Sequence, residues 1–327
     1  MISRRDLLVT ASLGTLSACA LAPGESMRSH RPLIIAHRGA SGILPEHTLE
    51  AYRLGAEQGA DAIEPDLVMS ADGVLMARHD HYIGVSTDAA SKFPGRRRTG
   101  AGVGTPEWFS EDFSRAEFAE LRARQPWPKR DASFNDQFLI PSFADVLDLR
   151  RMLERELARP LFVYPEIKLP SYFAQRGLDP VPAFVEAFRA RSKAEQARIW
   201  IQCFERAPLE RLRDLLGDKV KLTQLLPALE GDKPVEIPLR EIARYAQAIG
   251  PNKLGVIDGQ GHRTGLLEQA RTLGLKVHCW TFRDDVLPAS YKTPAAELKA
   301  FFALGVNAVF TDFPATAARA REELDSS

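Results

Sequence analysis

The strongest constraint on the fold is an alternation that starts near residue 31 and runs almost to the end of the chain. Short apolar runs suited to strands alternate with longer segments whose apolar residues recur every three or four positions. Eight strand candidates follow in order: Leu33–Ala36, Ala62–Asp66, Leu161–Ile167, Ile199–Cys203, Val220–Leu226, Leu254–Ile257, Lys276–Thr281 and Ala308–Thr311. The helical segments include Leu209, Leu212, Leu215 and Leu216 on one face, and Leu298, Phe301 and Phe302 on another. Gly59, Gly217, Gly274 and Gly305 each fall between a helix and the next strand, where glycine ends a helix in the left-handed conformation. Ser142 and Asp145 have capping-box spacing, and Thr293-Pro294 reads as an N-cap followed by a first-turn proline.

Eight strand–helix units over residues 31–320 predict an α/β chain folded as a TIM (β/α)8 barrel. An open doubly wound sheet is the alternative. It favours a glycine-rich phosphate loop after the first strand, which this sequence lacks. Residues 82–140 break the rhythm with Pro94-Gly95, Arg96-Arg97-Arg98 and Gly100-Ala101-Gly102-Val103-Gly104. They read as a loop-rich insertion after the second strand, of the kind that covers the catalytic face of a barrel. The arginine triplet reads as a solvated face, with contact to anionic substrates or lipid headgroups as the lesser alternative.

The first nineteen residues have a different character. Arg4-Arg5 precede an uncharged stretch from Leu7 to Ala18 that ends at Cys19. This is the layout of an export signal, with a twin-arginine-like start and a lipobox-like end at Leu16-Ser17-Ala18-Cys19. The expectation is an exported, periplasmic protein anchored to the membrane through Cys19, with residues 20–30 as a tether. Lys+Arg and Asp+Glu both number 43. That balance argues against a nucleic-acid partner, which calls for a basic excess. Cys203 and Cys279 fall on non-adjacent strands and are expected to stay unpaired.

A TIM barrel places its chemistry at the C-terminal ends of the strands. His37-Arg38-Gly39 stands at the end of strand one, Glu64 and Asp66 on strand two, Glu166 and Lys168 on strand three. Gln202 with Phe204 stands near the end of strand four, and Trp280 near the end of strand seven. Residues two apart on a strand share a face, so Glu64, Asp66, Glu166 and Lys168 converge. Such a cluster inside a barrel must be paired or metal-bound. Three carboxylates suit a hard divalent cation, Ca²⁺ or Mg²⁺. A structural carboxylate–lysine network satisfies the same spacing, and the residues alone leave both readings open. Ala71-Asp72-Gly73 predicts a turn that sends Val74–Ala77 back along strand two and delivers His79 to the mouth. His37 and His79 could then share general acid and base work. His81, His262 and His278 lack such company.

At these positions the chain resembles the glycerophosphodiester phosphodiesterases. Their motifs stand here as His37-Arg38-Gly39, Pro45-Glu46-His47-Thr48, Glu64-Pro65-Asp66, His79-Asp80 and Glu166-Ile167-Lys168, in family order and spacing. The stretch from Glu64 to Leu75 and the segment Trp108–Phe113 are similar to bacterial members. The resemblance implies hydrolysis of small glycerophosphodiesters to sn-glycerol 3-phosphate and an alcohol. It implies Glu64, Asp66 and Glu166 as metal ligands, His37 and His79 as the acid–base pair, and Arg38 and Lys168 as phosphate contacts. Glu46 would orient Arg38 or the metal shell, and Gln202, Phe204 and Trp280 would wall the substrate. One departure is His47, where the family has asparagine. Two rival functions are a phospholipase D-like enzyme on intact lipids and a lipoprotein that only binds phosphodiesters. A lipid enzyme calls for an exposed apolar rim at the mouth, and the insertion supplies no clear one.

Overall fold

A computed structural model describes residues 31–100, 102–227 and 238–326. The export-type segment, Cys19 and the tether lie outside these described residues. Residues 31–327 form one compact unit.

The eight barrel strands are Leu33–His37; Ala62–Glu64 continued as Asp66–Met69; Phe162–Val163 continued as Glu166–Ile167; Trp200–Cys203; Lys221–Leu225; Ala248–Gly250; Lys276–Phe282; and Ala308–Thr311. Neighbouring strands pair in parallel around the ring, and strand one closes it against strand eight with Leu33 opposite Ala308. Strands two and three are each broken at a proline, Pro65 and Pro165, which has no N–H to donate to a ladder. Their lower halves pair with each other, and so do their upper halves. Strand three joins strand four through Val163 opposite Ile199 and Glu166 opposite Gln202. The barrel therefore closes across both breaks.

The capping signals predict helix starts well. Ser142 and Asp145 form a reciprocal capping box on helix Phe143–Glu156, and Thr293 caps Pro294–Leu304 with Pro294 in its first turn. Ala71–Gly73 turns the chain as expected, and Leu75–Ala77 pairs antiparallel with Asp66–Met69.

The sixth strand needs correction. The sequence favoured Leu254–Ile257, but the strand is Ala248–Gly250. The Asn252 side chain accepts from Leu254 N–H and starts a 3₁₀ turn over Lys253–Gly255. The true strand has only three residues, and its glycine disguises it. A Cβ at Gly250 would lie 2.6 Å from Leu225 Cδ2, so a larger residue there would make the Leu225 side chain shift.

Two cores hold the unit together. Ile35, Ala62, Tyr164, Trp200, Ala248, Ala308 and Phe310 fill the barrel interior as a floor. His278 is built into that floor, with its Nδ1 2.6 Å from the Tyr164 hydroxyl, so it is structural. The larger core lies between the strands and the surrounding helices and includes Cys203 and Cys279, both free thiols facing away from the barrel axis. Emptying it is costly; Leu212→Ala would lose about 2–5 kcal/mol.

The insertion carries a two-stranded hairpin, Arg98–Gly100 with Val103–Glu107, and several single-turn helices. Its arginine triplet serves the insertion itself. Arg96 pairs with Glu117, Arg97 donates to the Pro106 carbonyl, and Arg98 pairs with Glu111 and Asp112.

Candidate active site

A small cavity of about 110 Å³ opens at the C-terminal ends of the strands. Nine of the eleven residues singled out from sequence line it: His37, Arg38, Glu64, His79, Glu166, Lys168, Gln202, Phe204 and Trp280. Asp66 and Glu46 sit directly behind them, both paired with Arg38. Register explains the convergence. His37 lies opposite Glu64, Asp66 opposite Glu166, and Glu166 opposite Gln202, so two neighbouring levels of the sheet carry the polar set.

Glu64, Asp66 and Glu166 each present a carboxylate oxygen within 4.8 Å of the others, and all three are buried. Burial, then the charges of Asp66 and Glu166, raise the Glu64 carboxyl well above its usual range. Burial likewise pushes Glu166 up to about 8, although Lys168 pulls the other way. Asp66 is opposite in sign: burial would raise it, but Lys168 and the His47 hydrogen bond outweigh that and hold it low. Three hard oxygens that repel one another at this spacing fit a divalent cation bound by oxygen ligands. Gln202 fits as well. Its Nε2 donates to Glu64 Oε1 at 2.8 Å, while its buried Oε1 has no hydrogen-bond partner among the described residues.

Two cations accompany the carboxylates. Lys168 Nζ lies 2.9 Å from Glu166 Oε1 and 3.8 Å from Asp66 Oδ1. Arg38 donates from Nη1 to Glu46 Oε2 at 2.8 Å, and its backbone N–H donates to Glu64 Oε2 at 2.8 Å. Arg38 takes φ 58°, a left-handed geometry that costs about 1 kcal/mol for a residue with a Cβ. Gly39 follows at φ 88°, where a Cβ would meet the Ala51 backbone at 2.5 Å, so this residue must be glycine.

The two imidazoles are held differently. His37 Nδ1 donates to Asp312 Oδ1 at 2.6 Å, which leaves Nε2 available to the cavity. Burial, then the Arg38 charge, lower His37 to about 4 despite Asp312. Asp312 also accepts from Arg130 Nη2 at 2.6 Å and Arg283 Nε at 2.8 Å. His79 lies at the open side, its Nδ1 3.0 Å from Asp80 Oδ1. Arg78 fastens the returning strand beside it by donating to the Glu46, His47 and Ser86 carbonyls.

His47 occupies the asparagine position as a bridge. Its Nε2 donates to Asp66 Oδ2 at 3.0 Å, and its Nδ1 accepts from the Tyr52 hydroxyl at 2.8 Å. A carboxylate only accepts, which fixes this tautomer. Burial lowers His47 to about 4, so it stays neutral. The donor that an asparagine amide would offer Asp66 is thus supplied by an imidazole.

Sequence reasoning missed Asp312, Arg283, Arg130 and Arg78. Asp312 directly follows the eighth strand, so the strand-end rule that found His37 could have found it. Arg130 lies 182 positions from Asp312, in the insertion, where no local pattern announces it.

Comparison with known proteins shows a family likeness over most of the chain. The profile of the "Glycerophosphoryl diester phosphodiesterase family" matches residues 37–316. A glycerophosphodiester phosphodiesterase of Haemophilus influenzae is 28% identical, the alignment covering 94% of this chain and 97% of that one. One from Arabidopsis thaliana is 30% identical over 88% of this chain and 86% of its own. Among solved structures, an Oleispira antarctica phosphodiesterase in complex with its product sn-glycerol-3-phosphate superposes with TM-score 0.64. It is 18% identical, with 89% of this chain and 97% of that one covered. At that identity the likeness establishes the fold.

Proposed function

The chain belongs to the glycerophosphoryl diester phosphodiesterase family, and from that premise we propose metal-dependent hydrolysis of glycerophosphodiesters by a pair of histidines. Water adds across one P–O bond. The phosphate stays on glycerol as sn-glycerol 3-phosphate, and the other alcohol leaves with a proton.

The observation that carries this reading is the buried carboxylate cluster of Glu64, Asp66 and Glu166, with Glu64 directly opposite His37 on the neighbouring strand. These three would hold the divalent cation, which supplies Lewis-acid polarisation of a phosphoryl oxygen when bound. Arg38 and Lys168 add fixed positive charge for the oxygens of the phosphate, and the Arg283 side chain lines the same cavity. His37 offers a neutral Nε2, because Asp312 holds the other nitrogen as a donor. It can accept a proton there and be stabilised as imidazolium by the Asp312 carboxylate. His79 faces it from the hairpin and carries the second proton transfer. Phe204 and Trp280, ring centroids 5.8 Å apart, form an apolar wall that limits water. Two imidazoles, each backed by a carboxylate, favour this reading over a protein that only binds.

The test is release of glycerol 3-phosphate from glycerophosphocholine and glycerophosphoethanolamine. Turnover that stops with excess chelator and returns with Ca²⁺ or Mg²⁺ supports the proposal. Absence of turnover with either substrate and either metal refutes it.

A further inference from the structure

The catalytic mouth takes one end of the barrel, and the opposite end gathers positive charge. Strand five starts at Lys221 and strand seven at Lys276, and Arg198 stands two residues before strand four. Register sets Lys221 opposite Trp200 and Lys276 opposite Ala248, so these cations meet the aromatic floor from below. The rings hold them there. Lys221 Nζ lies 5.4 Å from the centre of the Trp200 ring and 5.3 Å from that of Phe162. Lys276 Nζ lies 5.4 Å from Trp200, and Arg198 Cζ 5.3 Å from Phe162. A ring face attracts a cation, and the aliphatic stem can lie along it while the charged head stays in water.

The chain as a whole balances 43 cations against 43 acids, but this end does not. The connections that lead into strands four to seven are residues 190–199, 217–221, 243–247 and 273–276. They carry seven Lys or Arg and two acids. Both acids are engaged: Glu195 closes a capping box with Ser192, and Asp218 lies 3.4 Å from Arg213. Arg191 and Arg198 have carboxylate partners in Asp148 and Glu154. Lys193, Lys219, Lys221, Arg244 and Lys276 have no ion-pair partner among the described residues. Burial, then the charges of Lys276 and Arg198, lower the Lys221 ammonium from its usual range. Cations that repel one another in this way are relieved by an anion brought up to them.

The course of the chain selects which anion. Arg31 lies two residues before strand one, so the chain enters the barrel at this same end. An anchor at Cys19, the expectation from sequence, would tie that entry point to lipid by at most about 40 Å of extended chain.

We propose that the end of the barrel opposite the mouth is a docking surface for an anionic lipid bilayer, with Arg198, Lys221 and Lys276 at its centre. The mouth then faces away from the bilayer, where soluble diesters reach it. This goes beyond the hydrolytic reading and does not depend on it.

The experiment is sedimentation of the full chain carrying Cys19→Ser with phosphatidylcholine vesicles, with and without phosphatidylglycerol. The ratio of the two partition coefficients cancels apolar contributions, including any from residues 7–18. Each Lys or Arg at an anionic surface contributes about a fivefold preference. Lys276→Gln, at an exposed position, should therefore lower the ratio about fivefold, and Lys221→Gln with Lys276→Gln about 25-fold. Lys221→Arg with Lys276→Arg should keep it. Lys92→Gln with Lys129→Gln, at exposed positions of the insertion, should keep it too. A starting ratio near one would overturn the proposal. So would a ratio that Lys276→Gln and the paired Gln variant leave unchanged, or lower no more than the insertion pair does. Binding of duplex DNA without any vesicle preference would assign the cations to another polyanion and overturn it as well.

Discussion

Replacing Asp312 by asparagine should separate orientation of His37 from simple packing. The carboxylate accepts three charge-assisted hydrogen bonds, from His37, Arg130 and Arg283. In Asp312→Asn the single carbonyl oxygen would turn toward the two guanidinium donors, because the alternative leaves two cations facing an amide NH₂. That NH₂ would then point at His37 Nδ1, which becomes an acceptor. The imidazole proton moves to Nε2, and His37 can no longer accept a proton from the cavity. Losing one general base or acid costs about 10²–10⁴-fold in kcat. The stability cost is smaller. Each hydrogen bond to a charged group is worth about 1.5–3 kcal/mol. Arg130 retains Asp285 at 2.8 Å and 3.2 Å. The expected loss is thus about 2–3 kcal/mol, below the 3–5 kcal/mol of a fully broken buried pair. It should also depend on pH. Burial opposes ionisation of Asp312, yet His37, Arg283 and Arg130 hold its carboxyl far below the usual range. A depressed carboxyl contributes stability above its unfolded value of about 4 and loses it as pH falls further. The gap between wild type and variant should be full at pH 7 and shrink below about pH 4. Steady-state turnover and thermal melts across pH read both effects. A variant with the predicted melting loss but kcat within a few-fold of wild type would refute the orienting role.

The remaining expectations follow from the same geometry. His37→Ala and His79→Ala should each reduce kcat by about 10²–10⁴-fold. Melting should change little for His79, whose side chain is part-exposed. His47→Ala should weaken divalent-metal binding by about 10–100-fold in calorimetry, because Asp66 loses the donor that orients it. His47→Asn should recover part of that affinity, and equal affinity for both variants and wild type would show the bridge to be idle. Cys19→Ser should abolish lipid labelling of the expressed protein and release it from the membrane fraction, and unchanged labelling would reject the anchor.

Much of the site was legible because barrel register turns sequence spacing into geometry. Glu64 and Asp66 had to share a face, and the Ala71–Gly73 turn had to return the chain toward the mouth. The carboxylate triad, Lys168 and His79 could therefore be placed from spacing and turn chemistry. What escaped depends on tertiary contact. Arg130 reaches Asp312 from a loop with no period, and Ala248–Gly250 is too short to announce itself as a strand. Leu254 reads as strand material, but its N–H is taken by the Asn252 side chain and its own side chain is exposed.

The central claim is that Glu64, Asp66 and Glu166 bind one divalent cation on which turnover depends. The most direct measurement is calorimetric titration of the chelator-stripped protein with Ca²⁺ and Mg²⁺, paired with glycerol 3-phosphate release at each point. The account predicts one ion per chain, activity rising with occupancy, and loss of both in Glu64→Gln and Asp66→Asn. Full turnover by the stripped protein in excess chelator would contradict it.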